Sequence, residues 1–215
     1  MWRNSNSPST IAFALGSSID STVRTDAELL EATSSGDENA FLEIYRRHRD
    51  RVYRFAYRMT GSAEAARDVT QTCFTSLLEA PRRFDARRAS LGTYLCSAAR
   101  NQSLRHARRT WREQALDGSP ARMTTQEPGP LERLLGDERA RIVREALLAL
   151  APLHREVVIL AEYEELDLAT IAQIVGAGTG AVKVRLHRAR KKLRRALEGY
   201  VGFTATDAKR GIDEG

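Results

Sequence analysis

Two stretches of the sequence concentrate side chains that bind phosphate, with no acid among them. Residues 100–112 hold five arginines, at 100, 105, 108, 109 and 112, and residues 183–195 hold eight lysines and arginines. Together they carry 13 of the 34 basic residues of a 215-residue chain whose 28 acids leave a net charge of +6. An excess this small means little when spread evenly, but gathered into two windows it points to a polyanion, and clustered arginine and lysine is the footprint of nucleic acid. Other chemistries find no support. The four histidines (48, 106, 154 and 187) are scattered, without carboxylates at ligand spacing, and the chain has neither a glycine-rich phosphate loop nor a nucleophile motif. No catalysis, metal or cofactor is expected.

The second window sits at the end of a segment with its own mechanical logic, Leu168-Ala-Thr-Ile-Ala-Gln-Ile-Val-Gly-Ala-Gly-Thr-Gly-Ala-Val-Lys-Val-Arg-Leu186. It fits a helix-turn-helix. Small Ala172 lets two helices approach, and Gly176, four residues on, takes the positive φ of the turn. Ile171, Val175, Val182 and Leu186 fill the wedge between the helices. Thr179 is expected to cap the second helix and direct its N-terminus toward DNA. Ala177 stands where such motifs carry a larger apolar residue. The competing reading is an ordinary helical hairpin with a solvated basic face.

These residues need a scaffold, and the rest of the chain supplies a helical one. Phe41, Ile44, Tyr45, His48, Val52, Phe55, Ala56 and Met59 recur at three- and four-residue steps, a stripe that Gly61-Ser62 breaks. Ala66, Val69, Thr70, Cys73, Phe74 and Leu77 form another, which Pro81 stops. Leu91, Tyr94, Leu95, Ala98 and Leu104 resume the spacing beneath the first basic window. Residues 117–130, with three Pro and two Gly, read as a spacer. Beyond it lie periodic Leu131–Leu150, an interruption at Pro152, a short apolar helix over Glu156–Tyr163, and the helix-turn-helix. No alternating β-branched run occurs. The expected fold is all-α: two small helical domains joined by a flexible linker, the second containing the helix-turn-helix. The expected boundaries are a tail over 1–24, a domain over 25–112, the linker over 113–131, a domain over 132–198 and a tail over 199–215.

Cys73 and Cys96, on apolar stripes and without a second pair, read as buried thiols rather than as a redox switch, a disulfide framework or a zinc site. No apolar run approaches the ~20 residues of a membrane span, and Ile11–Leu15 is too short for a signal-peptide core. A soluble protein of the cytoplasm, not inserted in a membrane, is expected.

In order along the chain stand Glu28-Leu-Leu, Gly36-Asp-Glu-Asn-Ala-Phe-Leu-Glu-Ile-Tyr-Arg-Arg-His48, Ala66-Arg-Asp-Val-Thr-Gln-Thr-Cys-Phe74, Thr93-Tyr-Leu95 with Ala99-Arg-Asn101, Leu148-Ala-Leu-Ala-Pro-Leu-His-Arg-Glu-Val157 and Val182-Lys-Val-Arg-Leu-His-Arg-Ala-Arg190. Over roughly residues 25–198 this set resembles bacterial RNA polymerase sigma factors of the extracytoplasmic-function (ECF) subgroup. The resemblance implies a factor that makes core RNA polymerase promoter-specific, whose first domain binds polymerase and opens the −10 element and whose second reads the −35 element as duplex DNA. It also implies an inhibitory anti-sigma factor as a further partner.

Residue by residue, the resemblance places Asp68 and Gln71 on the polymerase-binding helix, with Arg67 and Thr70 departing from the family's acid and aliphatic there. It places Phe84, Tyr94 and Asn101 around a pocket for an unstacked base of the −10 element, with residues 82–92 as the loop shaping it. Taken alone, Phe84 and Tyr94 would read as core aromatics. Arg100, Arg105, Arg108 and Arg109 are then the phosphate-holding part of the −10 surface. Lys183, Val184, His187 and Arg188 match groove-facing positions of the −35 reader, and Thr179 and Arg185 match phosphate contacts. The acids Glu162, Glu164, Glu165 and Asp167 are open to two readings, polymerase contact or solubility, with solubility favoured. An alternative function is a stand-alone helix-turn-helix regulator with an N-terminal sensor domain. A phosphate-binding helix in each domain favours the sigma reading.

Overall fold

The structure, a computed structural model, describes residues 24–116 and 138–210. Residues 1–23 of the expected tail over 1–24 and residues 117–131 of the expected linker over 113–131 lie outside the described residues. Within them the chain forms eight α-helices, a short 3₁₀ turn and a π-helical turn.

Helix α1 (Asp26–Ser34) starts in a capping box. The Glu28 N–H bonds back to the Thr25 hydroxyl while the Glu28 carboxylate accepts from the Thr25 N–H, at 3.3 and 2.7 Å. Asp37 caps α2 (Glu38–Thr60), accepting from the Ala40 N–H. That helix ends at Gly61, whose φ of +73° closes the last turn. Ser62 caps α3 (Ala63–Glu79), and Pro81 then opens a 3₁₀ turn, Pro81–Arg83, that leads into the loop before α4 (Leu91–Leu116). The stripe read from the sequence is the core of this half: Ile44, Val52, Phe55, Ala56 and Met59 of α2 bury against Ala66, Val69, Cys73, Phe74 and Leu77 of α3 and Leu91, Leu95 and Ala99 of α4. Thr70, though buried, satisfies its hydroxyl on the Ala66 carbonyl at 2.7 Å.

The second half holds α5 (Glu138–Leu148), α6 (Pro152–Val158), α7 (Leu168–Val175) and α8 (Thr179–Arg210). Pro152 opens α6 at a position where its missing N–H costs nothing, rather than merely interrupting a helix. The last turn of the expected apolar helix widens into a π-turn, Ile159–Tyr163, in which the Glu164 N–H reaches the Ile159 carbonyl at 3.1 Å. Asp167 caps α7 on the Ala169 and Thr170 N–H groups. Its carboxyl is held below the usual range by those hydrogen bonds, first among them the Thr170 amide. Gly176 turns the chain at φ +65°, and α8 begins at Thr179. Thr179 is thus the first helical residue and not the cap; the Gly178 carbonyl takes the first bond, from the Val182 N–H at 3.1 Å. The last helix runs past Glu198, the expected end of the second domain, to Arg210.

A Cβ at Gly176 would meet no atom within 4 Å. Gly176→Ala is therefore expected to destabilise the chain through backbone strain alone, by about 1–2 kcal/mol. Denaturant unfolding of the full chain measures this, and a loss beyond about 3 kcal/mol would show packing at that site instead.

The two halves are not held apart. Their buried residues form one continuous cluster. Leu148 lies so close over Gly61 that a Cβ there would come within 2.7 Å of it. The Arg155 guanidinium, 1 % exposed, donates to the Leu147, Leu148 and Leu150 carbonyls of its own half and to the Met59 carbonyl at the end of α2. Burial lowers its pKa to about 10, which leaves it charged at neutral pH.

Candidate nucleic-acid interface

The aromatic pair joins the loop before α4 to the first turn of that helix. Phe84 and Tyr94 pack edge to face, with ring centroids 5.6 Å apart. Both are partly buried against the core, so the core reading and the pocket reading of these rings both have a basis in the structure. Asn101, about two helix turns beyond Tyr94, is exposed, and its side-chain oxygen accepts from Arg100 Nη1 at 2.9 Å. Arg105, Arg108 and Arg109 follow on the exposed surface of the same helix.

Arg100 stands apart from these three. Its guanidinium grips Glu156 of α6 with two bonds, Nε to Oε2 at 2.8 Å and Nη2 to Oε1 at 3.2 Å. Its side chain is 14 % exposed and that of Glu156 is 0 % exposed. The expected −10 phosphate contact is thus occupied by a carboxylate of the other half.

On α8 the side chains sort by helical position. Val182, Leu186 and Ala189 are buried, completing the wedge with Ile171, Ala172 and Val175. Lys183, Val184, His187 and Arg188 are exposed, with Val184 at 49 %. Lys183 and His187, with Leu186 and Arg190, line one wall of an open pocket whose other walls are Ala161, Leu166, Asp167 and Leu168. Arg185 lies on the opposite edge, half-buried, with Nη1 at 3.9 Å from Glu156 Oε1. His154 faces the same edge: partial burial, then the charges of Lys192, Arg188 and Arg185, hold its pKa below the ordinary value. Thr179 is exposed at the start of the helix. The structure thus gathers four expected groove residues on an open face and sets Arg185 beside a buried acid.

Asp68 and Gln71 lie exposed on α3, on the side away from its buried stripe of Ala66, Val69, Thr70 and Cys73.

Three acids of the acidic patch have partners within the protein. Glu164, drawn inward by the π-turn and 5 % exposed, pairs with Arg51 of α2 at 2.5 Å. Glu162 takes Arg190 at 2.5 Å, and Asp167 is the cap of α7. Of these, Glu164 is buried and Asp167 holds a helix start, whereas the Glu162–Arg190 pair lies on the surface. Sequence reading missed them, and it missed Arg155 and Glu156. The signal present in the sequence is two adjacent opposite charges inside an apolar run, Leu147 to Leu160, since such charges are buried only when paired.

Cys96 and Cys73 are both buried, and burial pushes each thiol from 9.0 up to about 12. The Cys96 Sγ donates to Glu164 at 3.5 Å. Neither forms thiolate near pH 7, so both should label with a thiol reagent only as fast as the chain opens, and at full speed in denaturant. Because the folded pKa lies above the unfolded one, stability is complete below about pH 9 and falls as pH rises toward 12. Rapid stoichiometric labelling of the folded chain would contradict this.

Among the described residues, no helix is long and apolar enough to cross a membrane, and no group of three or more His, Cys, Asp or Glu could hold a metal ion.

Comparison with known proteins supplies the family. The chain matches the model for sigma-70 region 2 over residues 44–113 and that for sigma-70 region 4 over residues 140–193. It is 32 % identical to the ECF RNA polymerase sigma factor SigM of Mycobacterium tuberculosis, across 83 % of this chain and 87 % of SigM. The chain belongs to the ECF RNA polymerase sigma factors. SigW of Bacillus subtilis, another member, is 27 % identical over 78 % of this chain and 94 % of its own. The fold matches the sigma factor RpoE solved with the anti-sigma factor NepR from Bartonella quintana, at TM-score 0.63 and 23 % identity over 74 % of this chain and 96 % of that one. It also matches CnrH solved with the cytosolic domain of CnrY, at TM-score 0.60 and 24 % identity over 81 % and 97 %. Like its relatives, this sigma factor is a transcription initiation factor that binds core RNA polymerase and directs it to promoters.

Proposed function

We propose that the sigma factor divides promoter recognition between its two halves, with residues 25–112 binding polymerase and opening the −10 element and residues 132–198 reading the −35 element. It acts by binding, without catalysis of its own, in the cytoplasm. The observation that carries this division is the separation of two exposed basic faces onto α4 and α8, each joined to a different kind of base-reading feature. On α4 the arginines follow an edge-to-face aromatic pair and an exposed amide, suited to an unstacked base. On α8 the lysine, histidine and arginine flank an apolar Val184 on a helix-turn-helix, suited to a major groove and the methyl of a thymine.

Asp68 and Gln71, exposed on one face of α3, are assigned to core polymerase. Arg105, Arg108 and Arg109 are assigned to −10 phosphates, with Phe84, Tyr94 and Asn101 around the base. An anti-sigma factor is proposed as a further partner, since the RpoE of like fold was solved with the anti-sigma factor NepR.

The division is tested by three variants in reconstituted transcription. Asp68→Arg should abolish co-purification with core polymerase. Arg105→Ala with Arg109→Ala should leave polymerase binding intact and reduce strand opening, read by permanganate reactivity of the −10 thymines. Lys183→Ala with Arg188→Ala should reduce duplex binding at −35. If both basic pairs lowered only non-specific binding, the division would be wrong. A chain that bound an operator duplex tightly by itself and never associated with polymerase would support the stand-alone regulator instead.

A further inference from the structure

His154 is a polar side chain that the fold of the second half leaves unsatisfied. It stands in the first turn of α6, half-buried, and its Nδ1 is closed to solvent without a hydrogen-bond partner. Buried ring nitrogens are ordinarily bonded, and one left bare points to a partner that arrives from outside. The charges that act on the ring are those of Lys192, Arg188 and Arg185 of α8. Steps of three and four residues put these three cations in one row along the helix. Arg188 and Lys192 are exposed, and among the described residues neither has an acid partner.

The other charged groups around α6 are engaged elsewhere. Glu156, two residues beyond His154, takes two bonds from Arg100 and lies 3.9 Å from Arg185. Arg155 is turned inward onto carbonyls, and Arg58 of α2 lies over the Tyr163 ring of the π-turn at 4.1 Å. An imidazole and three cations thus meet at one edge of α6 and α8, and the acid beside them is already taken. That row borders the groove-facing set. Arg188 belongs to both, one turn after Val184 and one turn before Lys192. A helix lying in the major groove has a strand backbone along its flank, so a phosphate beside Arg188 falls on the side of α6.

We propose that His154 and Lys192, together with Arg188, form a phosphate-binding site for one strand of the −35 duplex, and that His154 takes up a proton as the DNA binds. The inference rests on the assignment of α8 to the −35 element. It makes α6 part of the DNA interface, beyond the two helices of the helix-turn-helix. A half-turn about Cβ–Cγ exchanges the edges of the ring and carries Nδ1 to the surface, where a phosphate oxygen accepts from it. In the free chain partial burial, then the three cations, disfavour the protonated ring and hold its pKa below the ordinary value. A phosphate reverses the local field, and the ring draws a proton from solvent. Because the pKa is higher in the complex than in the free chain, the added affinity is complete below the free pKa. It is lost as pH rises through the pKa of the complex.

The test uses holoenzyme assembled from the full chain and core polymerase, with a −35 duplex that this holoenzyme recovers from a random-sequence pool. Fluorescence anisotropy over pH and salt reads the affinity. From about pH 8 to about pH 6, wild type should tighten about fivefold more than His154→Gln, which keeps hydrogen-bonding capacity but cannot be charged. Lys192→Gln, an exposed change that puts no packing at risk, should weaken binding at every pH and lower the salt slope by about 1. His187 also titrates, so the comparison is repeated with His187→Gln in both chains, and the same difference should persist.

An identical pH response with and without His154 would overturn the proposal, as would an unchanged salt slope in Lys192→Gln. Loss of co-purification with core polymerase in both variants, with duplex affinity intact, would place the cluster against polymerase and overturn it too. Failure of the underlying assignment reads differently. If Lys183→Ala also left duplex binding unchanged, α8 itself would leave the −35 interface. If Lys183→Ala weakened binding while the His154 and Lys192 variants did not, this proposal alone would fall.

Discussion

Arg155→Ala is expected to destabilise the folded chain by about 3–5 kcal/mol, a large share of what a domain of this size has in hand. The guanidinium is 1 % exposed and holds four carbonyl groups, those of Leu147, Leu148, Leu150 and Met59. Leu147 and Leu148 are in the last turn of α5 and Leu150 just beyond it, where carbonyls run short of helical donors, although that of Leu147 also accepts from the Leu150 N–H at 3.1 Å. Arg155 is the donor that replaces them. Alanine takes the guanidinium from those acceptors in a site closed to water, at a cost of about 1–3 kcal/mol for each one left without a donor, and adds a cavity the size of the missing side chain. Lysine keeps the charge but presents a compact ammonium in place of a planar fork, so Arg155→Lys should recover only part of the loss. Urea unfolding followed by circular dichroism measures the effect. A loss under about 1 kcal/mol for Arg155→Ala would show that the carbonyls find other donors. The same change removes a tie to Met59, so it should also loosen the contact between the halves.

The second large effect is expected at the opposite extreme of burial. Lys183→Ala with Arg188→Ala should weaken binding of a −35 duplex by about 2–4 kcal/mol, roughly 30- to 700-fold, while leaving the melting temperature nearly unchanged. Both side chains are exposed on α8, whose fold depends on Val182, Leu186 and Ala189 beneath them. Nothing in the core is disturbed by truncating them. Each removes a cation from a helix face directed at a polyanion, so the slope of log affinity against log salt should also fall, by about 1 for each phosphate no longer neutralised. Val184→Ala separates readout from attraction: it should alter preference among base pairs and leave the salt slope unchanged. Anisotropy titrations at three salt concentrations distinguish these outcomes. A double variant that binds as tightly as wild type would remove α8 from the interface.

Much of the architecture is legible in the order of the amino acids. Helix periodicity places the stripes of α2, α3 and α4, because a residue every three or four positions must share a face. Asp37, Gly61, Pro81 and Gly176 mark boundaries through local backbone chemistry. A Thr179 cap is off by one residue, since glycine at 178 serves a cap as well and leaves no side-chain signal. The π-turn at Ile159–Tyr163 is invisible in the sequence for a different reason. Its residues are an ordinary apolar run, and only packing of Glu162 and Glu164 toward Arg190 and Arg51 shows what the widened turn does.

The candidate site divides in the same way. Exposed residues such as Asp68, Gln71, Lys183 and Arg188 stand on the faces that helical spacing assigns them. Arg100 does not share the open surface of Arg105 and Arg108, although all three belong to one basic run. Spacing alone cannot tell them apart, because the difference lies in Glu156, more than fifty residues away along the chain.

By itself, then, the sequence determined an all-helical chain with two basic helices, the second in a helix-turn-helix, and enough ordered motifs to resemble an ECF sigma factor. Those features depend on interactions within a few residues, which composition and periodicity record. Only the tertiary structure decided which charges are spent within the protein: Arg51 on Glu164, Arg100 on Glu156, and Arg155 on the carbonyls where the halves meet. An ion pair between distant segments has no period and no local signature. It exists because two surfaces exclude water from both partners at once, and that is a property of the folded chain alone.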